Sequence, residues 1–292
     1  MEKIDGLSMG GTWSAMLPPQ SDIANARGLI QAALDRVEDQ MSAWRPQSIL
    51  CRINAAPIGT WVDLPPETAA VVRAGLGLMA EMPGVFSILM GGASAREGFI
   101  PGRDCSITSD PAAVEFEGQR LRRLEDVAID LNALAKGYAV DLAVETLCAR
   151  GHESFLIEVA GDIRCEGCRP DGEPWSVAME LPIPDRIVPA QRFPLSDEAI
   201  ATSGGYRRAQ GDRSHLFAPQ TGAPLSSASA SVAVIADTAL QADGWATVMS
   251  ILGPVAGLAE AERRRLSVAF IVPDLPAGFV ERGSSAMSMR VT

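Results

Sequence analysis

The chain of 292 residues has no apolar run near the roughly 18 residues that a membrane-spanning helix requires. No membrane span is therefore expected. The first residues, MEKIDGLSMGG, lack an apolar segment and a cleavage pattern, so they do not read as a signal peptide. The chain as given is expected in the cytoplasm, or in the periplasm if a leader was removed. Basic residues are also scarce: 25 Lys and Arg stand against 36 Asp and Glu, for a net charge of −11 and a pI of about 4.7. Such a chain does not attract nucleic acid through a general field. A phosphate-bearing ligand would need a local site with a metal ion to cancel charge. The cysteines are few, odd in number and scattered (Cys51, Cys105, Cys148, Cys165, Cys168), which excludes a disulfide framework. Cys165 and Cys168 have metal-knuckle spacing, but no second pair completes a zinc site, and free thiols in a turn are the better reading. Internal repeats and long low-complexity segments are absent as well.

What the chain does hold is an apolar fraction of 47%, enough for a sizeable core. Its length suits one large domain or two joined lobes. The stretch DLNALAKGYAVD, residues 130–141, organises the rest. An apolar run ends in a turn of small residues, and a helix follows with Tyr138, Val140, Val144 and Leu147 at helical spacing. Backbone N–H groups at the positive end of a helix suit phosphate. Lys136 adds a point charge and Asp130 a fixed acceptor.

Residues 7–16 read as a glycine-interrupted strand. Ser21-Asp22 caps a helix whose stripe is Ile23, Leu29, Ile30, Ala33, Val37 and Met41. Trp44 lies beside the turn that ends it, either as a half-buried core aromatic or as a platform for a stacked ring. Ser48–Asn54 is a short element. Pro65-Pro66-Glu67 starts a further helix, with proline in the first turn. Residues 83–104 read as a loop that can touch ligand, and strands are expected near 106–107 and 121–124. Beyond the central helix, strands are expected at 154–159, 175–181 and 199–203. The 203–205 turn offers hydroxyls and N–H groups to an anion. His215 stands in HLFAPQTGAP, a loop broken by Pro219, Gly222 and Pro224; it is a polar surface group or a proton-transfer group. After a strand at 231–236, Thr238 caps a helix over 239–252. A helix at 255–265 and a strand at 266–272 follow, and the last residues read as frayed.

Asp243 and Thr247 are four residues apart and share a helix face. A carboxylate and a hydroxyl suit magnesium or calcium and do not favour zinc. Magnesium keeps waters and borrows phosphate oxygens, so two side chains and a carbonyl suffice.

Eight stretches now align with one pattern: MGGTW (9–13), MSAWRPQSILCRIN (41–54), PGVF (83–86), DLNALAKGYAVD (130–141), AGDIRCEG (160–167), ATSGGYRR (201–208), HLFAPQTGAP (215–224) and QADGWAT (241–247). In this order they resemble the ApbE-type flavin transferases, over roughly residues 8–272. The resemblance implies an α+β fold: antiparallel sheets with helices in two interlocked, T-fold-related lobes. The whole chain would be one such domain, with lobes about 1–125 and 126–275 and a frayed tail over 276–292. It implies magnesium-dependent transfer of FMN from FAD to a Ser or Thr hydroxyl of an acceptor protein, with release of AMP. Hydrolysis of FAD, or a non-catalytic homologue that binds flavin or a partner, is the alternative. The metal would sit on Asp243, Thr247 and the Ala133 carbonyl. Met9, Trp44, Val85, Phe86, Ser87, Asp130, Lys136 and Phe217 would contact FAD. His215 and Asp130 are the candidates for proton transfer, and Asp141 is read as structural. The chain has Phe86-Ser87 where the family commonly has Phe-Asp, and Ala160-Gly161-Asp162 where it commonly has Gly-Gly-Asp.

Overall fold

The chain opens with a hairpin rather than one interrupted strand. Glu2–Ser8 (β1) and Gly11–Leu17 (β2) pair antiparallel and turn Ile4, Trp13, Ala15 and Leu17 into the core. Met9 and Gly10, at φ 52° and 73°, form the two-residue turn, where positive φ at both positions matches the strand twist. Ile23–Met41 (α1) follows, with the Asp22 carboxylate accepting the Asn25 N–H at its start. The short element is a helix, Ile49–Ala55 (α2). Val62–Asp63 (β3) leads to Pro66–Glu81 (α3), with Pro66 in the first turn as expected.

The loop expected at 83–104 contains a helical turn, Gly91–Arg96 (α4). Its small residues reflect close packing: a Cβ at Gly91 would meet Ala128 at 2.9 Å, and one at Gly92 would overlap the Cys105 carbonyl. Val114–Glu117 (β4) and Arg120–Arg123 (β5) form a hairpin beside β3. The strand expected at 106–107 is a single bridge from Ser106 to Val127.

The central helix is Ala135–Cys148 (α5). Then come Phe155–Val159 (β6), Asp162–Glu166 (β7), Trp175–Glu180 (β8), Pro189–Leu195 (β9) and Ala199–Ser203 (β10). The HLFAPQTGAP stretch is not a plain loop. Arg213–Phe217 (β11) pairs with Pro224–Ser226 (β12), so His215 stands on a strand. Buried Leu216 and Phe217 hold that strand down. Ser231–Ala236 (β13), Ala239–Arg264 (α6) and Ser267–Asp274 (β14) follow. Gly253 (φ 73°, ψ 174°) breaks α6 ahead of Pro254, which gives the two helices that were expected. The tail is not frayed throughout: Gly278–Gly283 (β15) pairs along β14, and Ser285–Ser288 (α7) buries Met287.

This computed structural model describes residues 1–183, 186, 188–204, 213–226, 230–274 and 278–290. Residues 205–208 of the ATSGGYRR stretch and residues 276–277 and 291–292 of the tail lie outside them. Among the described residues, eight strands form one antiparallel sheet in the order β1-β2-β6-β7-β10-β13-β14-β15. One face carries the helices: Ile30, Val140, Val144 and Met249 pack on Trp13, Ile157, Val159, Val234 and Phe270. The other face carries the β8–β9 hairpin, with Trp175 and Phe193 against Ile200, Ile235 and Ile271. The fold is α+β. At the β1 edge, Arg27 and Gln31 donate to the carbonyls of Asp5 and Leu7, which closes that edge to further strands. No helix of the described residues is long and apolar enough to cross a membrane.

Candidate functional site

The ends of β2, β6, β7 and β10 and the first turns of α5 and α6 meet around a cavity of about 880 Å³. That is at the upper end of the range for small-molecule sites. Its walls include Gly10–Thr12, Phe86, Ser87, Asp130, Ala133, Lys136, Thr202–Gly204, His215, Phe217, Asp243 and Thr247. Trp175, Val177 and Arg192 of the β8–β9 hairpin also line it.

Lys136, in the first turn of α5, is the centre of charge. Its Nζ donates to Asp162 Oδ2 and to Asp243 Oδ2, each at 2.9 Å. Both carboxylates are buried, at 2% and 5% exposure. Burial alone would lower the lysine pKa, but the two carboxylates outweigh it and hold the ammonium charged far above neutral pH. Asp162 is pushed up to about 7, first by burial and then by the charge of Asp243, with Lys136 opposing both. One buried cation thus faces two buried acids, and the excess negative charge suits a further cation. Asp243 Oδ2 also accepts the Gly137 N–H at 3.3 Å, which leaves Oδ1 as the oxygen not engaged by α5. Thr247 follows one turn along α6, buried beside it. Among the described residues no three His, Cys, Asp or Glu side chains converge as metal ligands. The donors beside Lys136 in the cavity wall include the Asp243 carboxylate and the Thr247 hydroxyl, and Ala133, whose carbonyl the sequence suggested, lines the same wall. This all-oxygen set fits magnesium completed by water or substrate, and does not fit zinc.

Asp130 is held on three sides. Its N–H donates to the Ile88 carbonyl, Oδ1 accepts the Asn132 N–H at 2.9 Å, and Oδ2 accepts the hydroxyl of buried Ser94 at 2.7 Å. Ser87 donates to the Thr108 carbonyl at 2.6 Å and accepts the Leu89 N–H at 2.9 Å, so its hydroxyl fixes the segment beside the cavity. Phe86 is buried behind it. His215 meets Phe99 edge-on at 6.5 Å, and Phe99 stacks edge-on with Phe217 at 5.9 Å.

The structure therefore gathers Phe86, Ser87, Asp130, Ala133, Lys136, His215, Phe217, Asp243 and Thr247 around one cavity. Met9, Trp44 and Val85 are not in its wall. Met9 occupies the β-turn and leans on the core, while Trp44 stands 67% exposed past the end of α1, neither a half-buried core ring nor part of the cavity.

A family model, that of the ApbE family, matches residues 9–272. The chain belongs to the ApbE family. A FAD:protein FMN transferase of Vibrio cholerae is 32% identical over 97% of this chain and 90% of its own length. One of Klebsiella pneumoniae is 30% identical over 93% and 84%. The flavinyl transferase ApbE of Pseudomonas stutzeri, in its apo form, superposes with a TM-score of 0.85 at 31% identity, covering 99% of this chain and 96% of that one. The Vibrio cholerae flavin transferase ApbE gives 0.86 at 30%, with 99% of each chain covered.

Within this ApbE-family chain, two acidic residues carry more than sequence reasoning assigned them. Asp162 reads from sequence only as part of a tight turn. Its strand, Asp-Ile-Arg-Cys-Glu, is mixed in character, so nothing local marks this carboxylate as the buried partner of a lysine. The turn before it also explains a family preference, because Ala160 sits at φ 51°, a conformation glycine adopts without strain. Asp141 is the second, and it holds the start of α6.

Proposed function

We propose that this protein transfers FMN from FAD to a Ser or Thr hydroxyl of an acceptor protein, with magnesium, and releases AMP. The observation that carries the reading is the Lys136–Asp162–Asp243 cluster, with Thr247 one turn on, at a cavity of dinucleotide size. Its relatives are FAD:protein FMN transferases. Asp243, Thr247 and the Ala133 carbonyl would hold magnesium, which would neutralise the pyrophosphate and make its phosphorus more electrophilic. Lys136 places a second fixed positive charge there, which strengthens as the leaving phosphate gains charge. Phe86, Ser87, Asp130 and Phe217 are the FAD contacts of this reading, which leaves Met9, Trp44 and Val85 outside it. The acceptor oxygen bonds to the FMN phosphorus, the P–O bond to AMP breaks, and His215 takes the hydroxyl proton. Asp130, already accepting from Ser94 and Asn132, orients rather than receives.

The test is incubation with FAD, magnesium and candidate flavoproteins, read by in-gel flavin fluorescence and AMP release. Labelled acceptor with stoichiometric AMP is expected. AMP without label would mean hydrolysis, and neither product would refute the reading. For the base, His215→Gln is expected to slow transfer about 10²–10⁴-fold, the usual worth of a positioned proton acceptor, with FAD affinity kept. A variant within a fewfold of wild type would remove His215 from that role.

A further inference from the structure

We infer that Asp141 is a positioning residue that sets the cation ligands Asp243 and Thr247 by holding the first turn of α6; this rests on the magnesium reading above. The first four N–H groups of a helix have no partner within it. In α6 the groups of the first three residues are accounted for from outside the helical repeat. Ala239 and Leu240 donate to Asp141 Oδ1 and Oδ2, at 2.8 and 2.9 Å. Gln241 donates to the Thr238 hydroxyl at 3.3 Å, and Ala242 opens the helix's own repeat by donating to the Thr238 carbonyl at 3.0 Å. Asp243 is the next residue. Two of those three outside bonds thus come from α5, and they tie the start of the ligand-bearing helix to the helix that carries Lys136.

The tie is reciprocal. Asp243, from α6, accepts the N–H of Gly137 in the first turn of α5. Asp141, one turn further along α5, accepts from the first turn of α6. Each helix supplies a carboxylate to the positive end of the other, where negative charge is favoured. Gly137 lets the two backbones touch, since a Cβ there would overlap the Ala239 carbonyl. From below, Arg164 on β7 donates to Asp141 Oδ1 at 2.7 Å, two residues beyond Asp162, which binds Lys136. Residues two apart on a strand share a face. One strand therefore fixes both ends of the α5 contact. Asp141 is 5% exposed and does not line the cavity, so it acts through α6 and not on substrate.

The experiment uses the full chain and Asp141→Asn, which keeps the size but offers one of the two backbone N–H groups an NH₂. Cation binding is read by electron paramagnetic resonance with manganese, and AMP release is followed against magnesium concentration. Outer-shell partners of metal ligands usually matter 10–100-fold, so manganese affinity should fall by about tenfold or more. The magnesium concentration for half-maximal AMP release should rise by the same factor, while the rate at saturation stays within roughly threefold of wild type. FAD affinity in EDTA should not move, and amide exchange at Ala239 and Leu240 should speed up. A folded variant with wild-type manganese affinity, or one that loses saturating rate with affinity intact, overturns the inference. Ala239→Pro is the second arm. It deletes one donor to Asp141 at a position where proline is favoured, behind Thr238 at φ −129° and ψ 151°, which suits the residue before proline. It should weaken manganese in the same way, and unchanged binding counts against the inference. If neither variant folds, Asp141 is a folding determinant and the inference falls. If the wild-type chain binds no manganese, the magnesium reading fails, and amide exchange in Asp141→Asn still decides whether Asp141 holds α6.

Discussion

Lys136→Met is expected to destabilise the metal-free protein by about 3–5 kcal/mol at pH 8, the usual result of removing one partner from a buried ion cluster. Asp162 and Asp243 then face each other with no cation between them. Methionine fills the same space, so packing alone does not account for the loss. The pH dependence separates the two causes. Asp162 has a folded pKa of about 7, above the ordinary carboxylate value near 3.9. Between those values the native state binds more protons than the unfolded chain, so stability falls as pH rises through that window. Lys136 is the group that opposes this rise, and without it the window extends above pH 7. Melting in EDTA should therefore show the variant far below wild type at pH 8 and closer to it at pH 5. Magnesium should raise the variant's melting temperature more than it raises that of wild type, because the cation replaces the missing charge. Equal deficits at both pH values would mean that Lys136 acts through packing. Where the variant is folded, AMP release should be lower by roughly 10²–10³-fold, the scale of deleting one donor to developing charge.

Periodicity and caps were enough for the long helices. Asp22 and Thr238 stand where their side chains close α1 and α6, and Pro66 opens α3 as its missing N–H predicts. The strands at 154–159, 175–181, 199–203 and 231–236 were legible as well, but the short elements inside apparent loops were not, because their residues answer to tertiary neighbours. The glycines of α4 look like loop signals, yet they are small because Ala128 and Cys105 press on them. The Pro219-Gly222-Pro224 stretch reads as broken chain, yet Leu216 and Phe217 are buried, and β11 and β12 pair across it. In the site, Asp243 and Thr247 needed only the helical repeat. Asp162 needed the meeting of β7 with α5, and Asp141 the meeting of α5 with α6, and no local pattern carries either. Trp44 is a case of the reverse kind: an aromatic beside a turn has two readings, its 67% exposure removes the core one, and the cavity wall does not include it.

Asp243→Asn should move stability and activity in opposite directions. In the metal-free protein it removes one of two buried acids that share a single lysine. Lys136 and Asp162 become a one-to-one pair, and the amide oxygen of the new side chain can still accept the Gly137 N–H. Asp162 also loses the second cause of its raised pKa, so the fall in stability between pH 4 and pH 7 should shrink. The variant is expected to gain about 1–2 kcal/mol at pH 8 in EDTA, as relief of strain at a functional site commonly does. Its activity should fall by more than about 10³-fold, because several kcal/mol of charge stabilisation depend on the cation that this carboxylate would hold. Magnesium should stabilise wild type against heat and leave the variant unmoved. Set beside Lys136→Met, which should lose stability and regain part of it with magnesium, this pair separates two roles that one cluster combines. A variant that is both less stable in EDTA and still responsive to magnesium would place the cation elsewhere in the cavity. It would also make Asp243 chiefly the partner that α5 needs at Gly137.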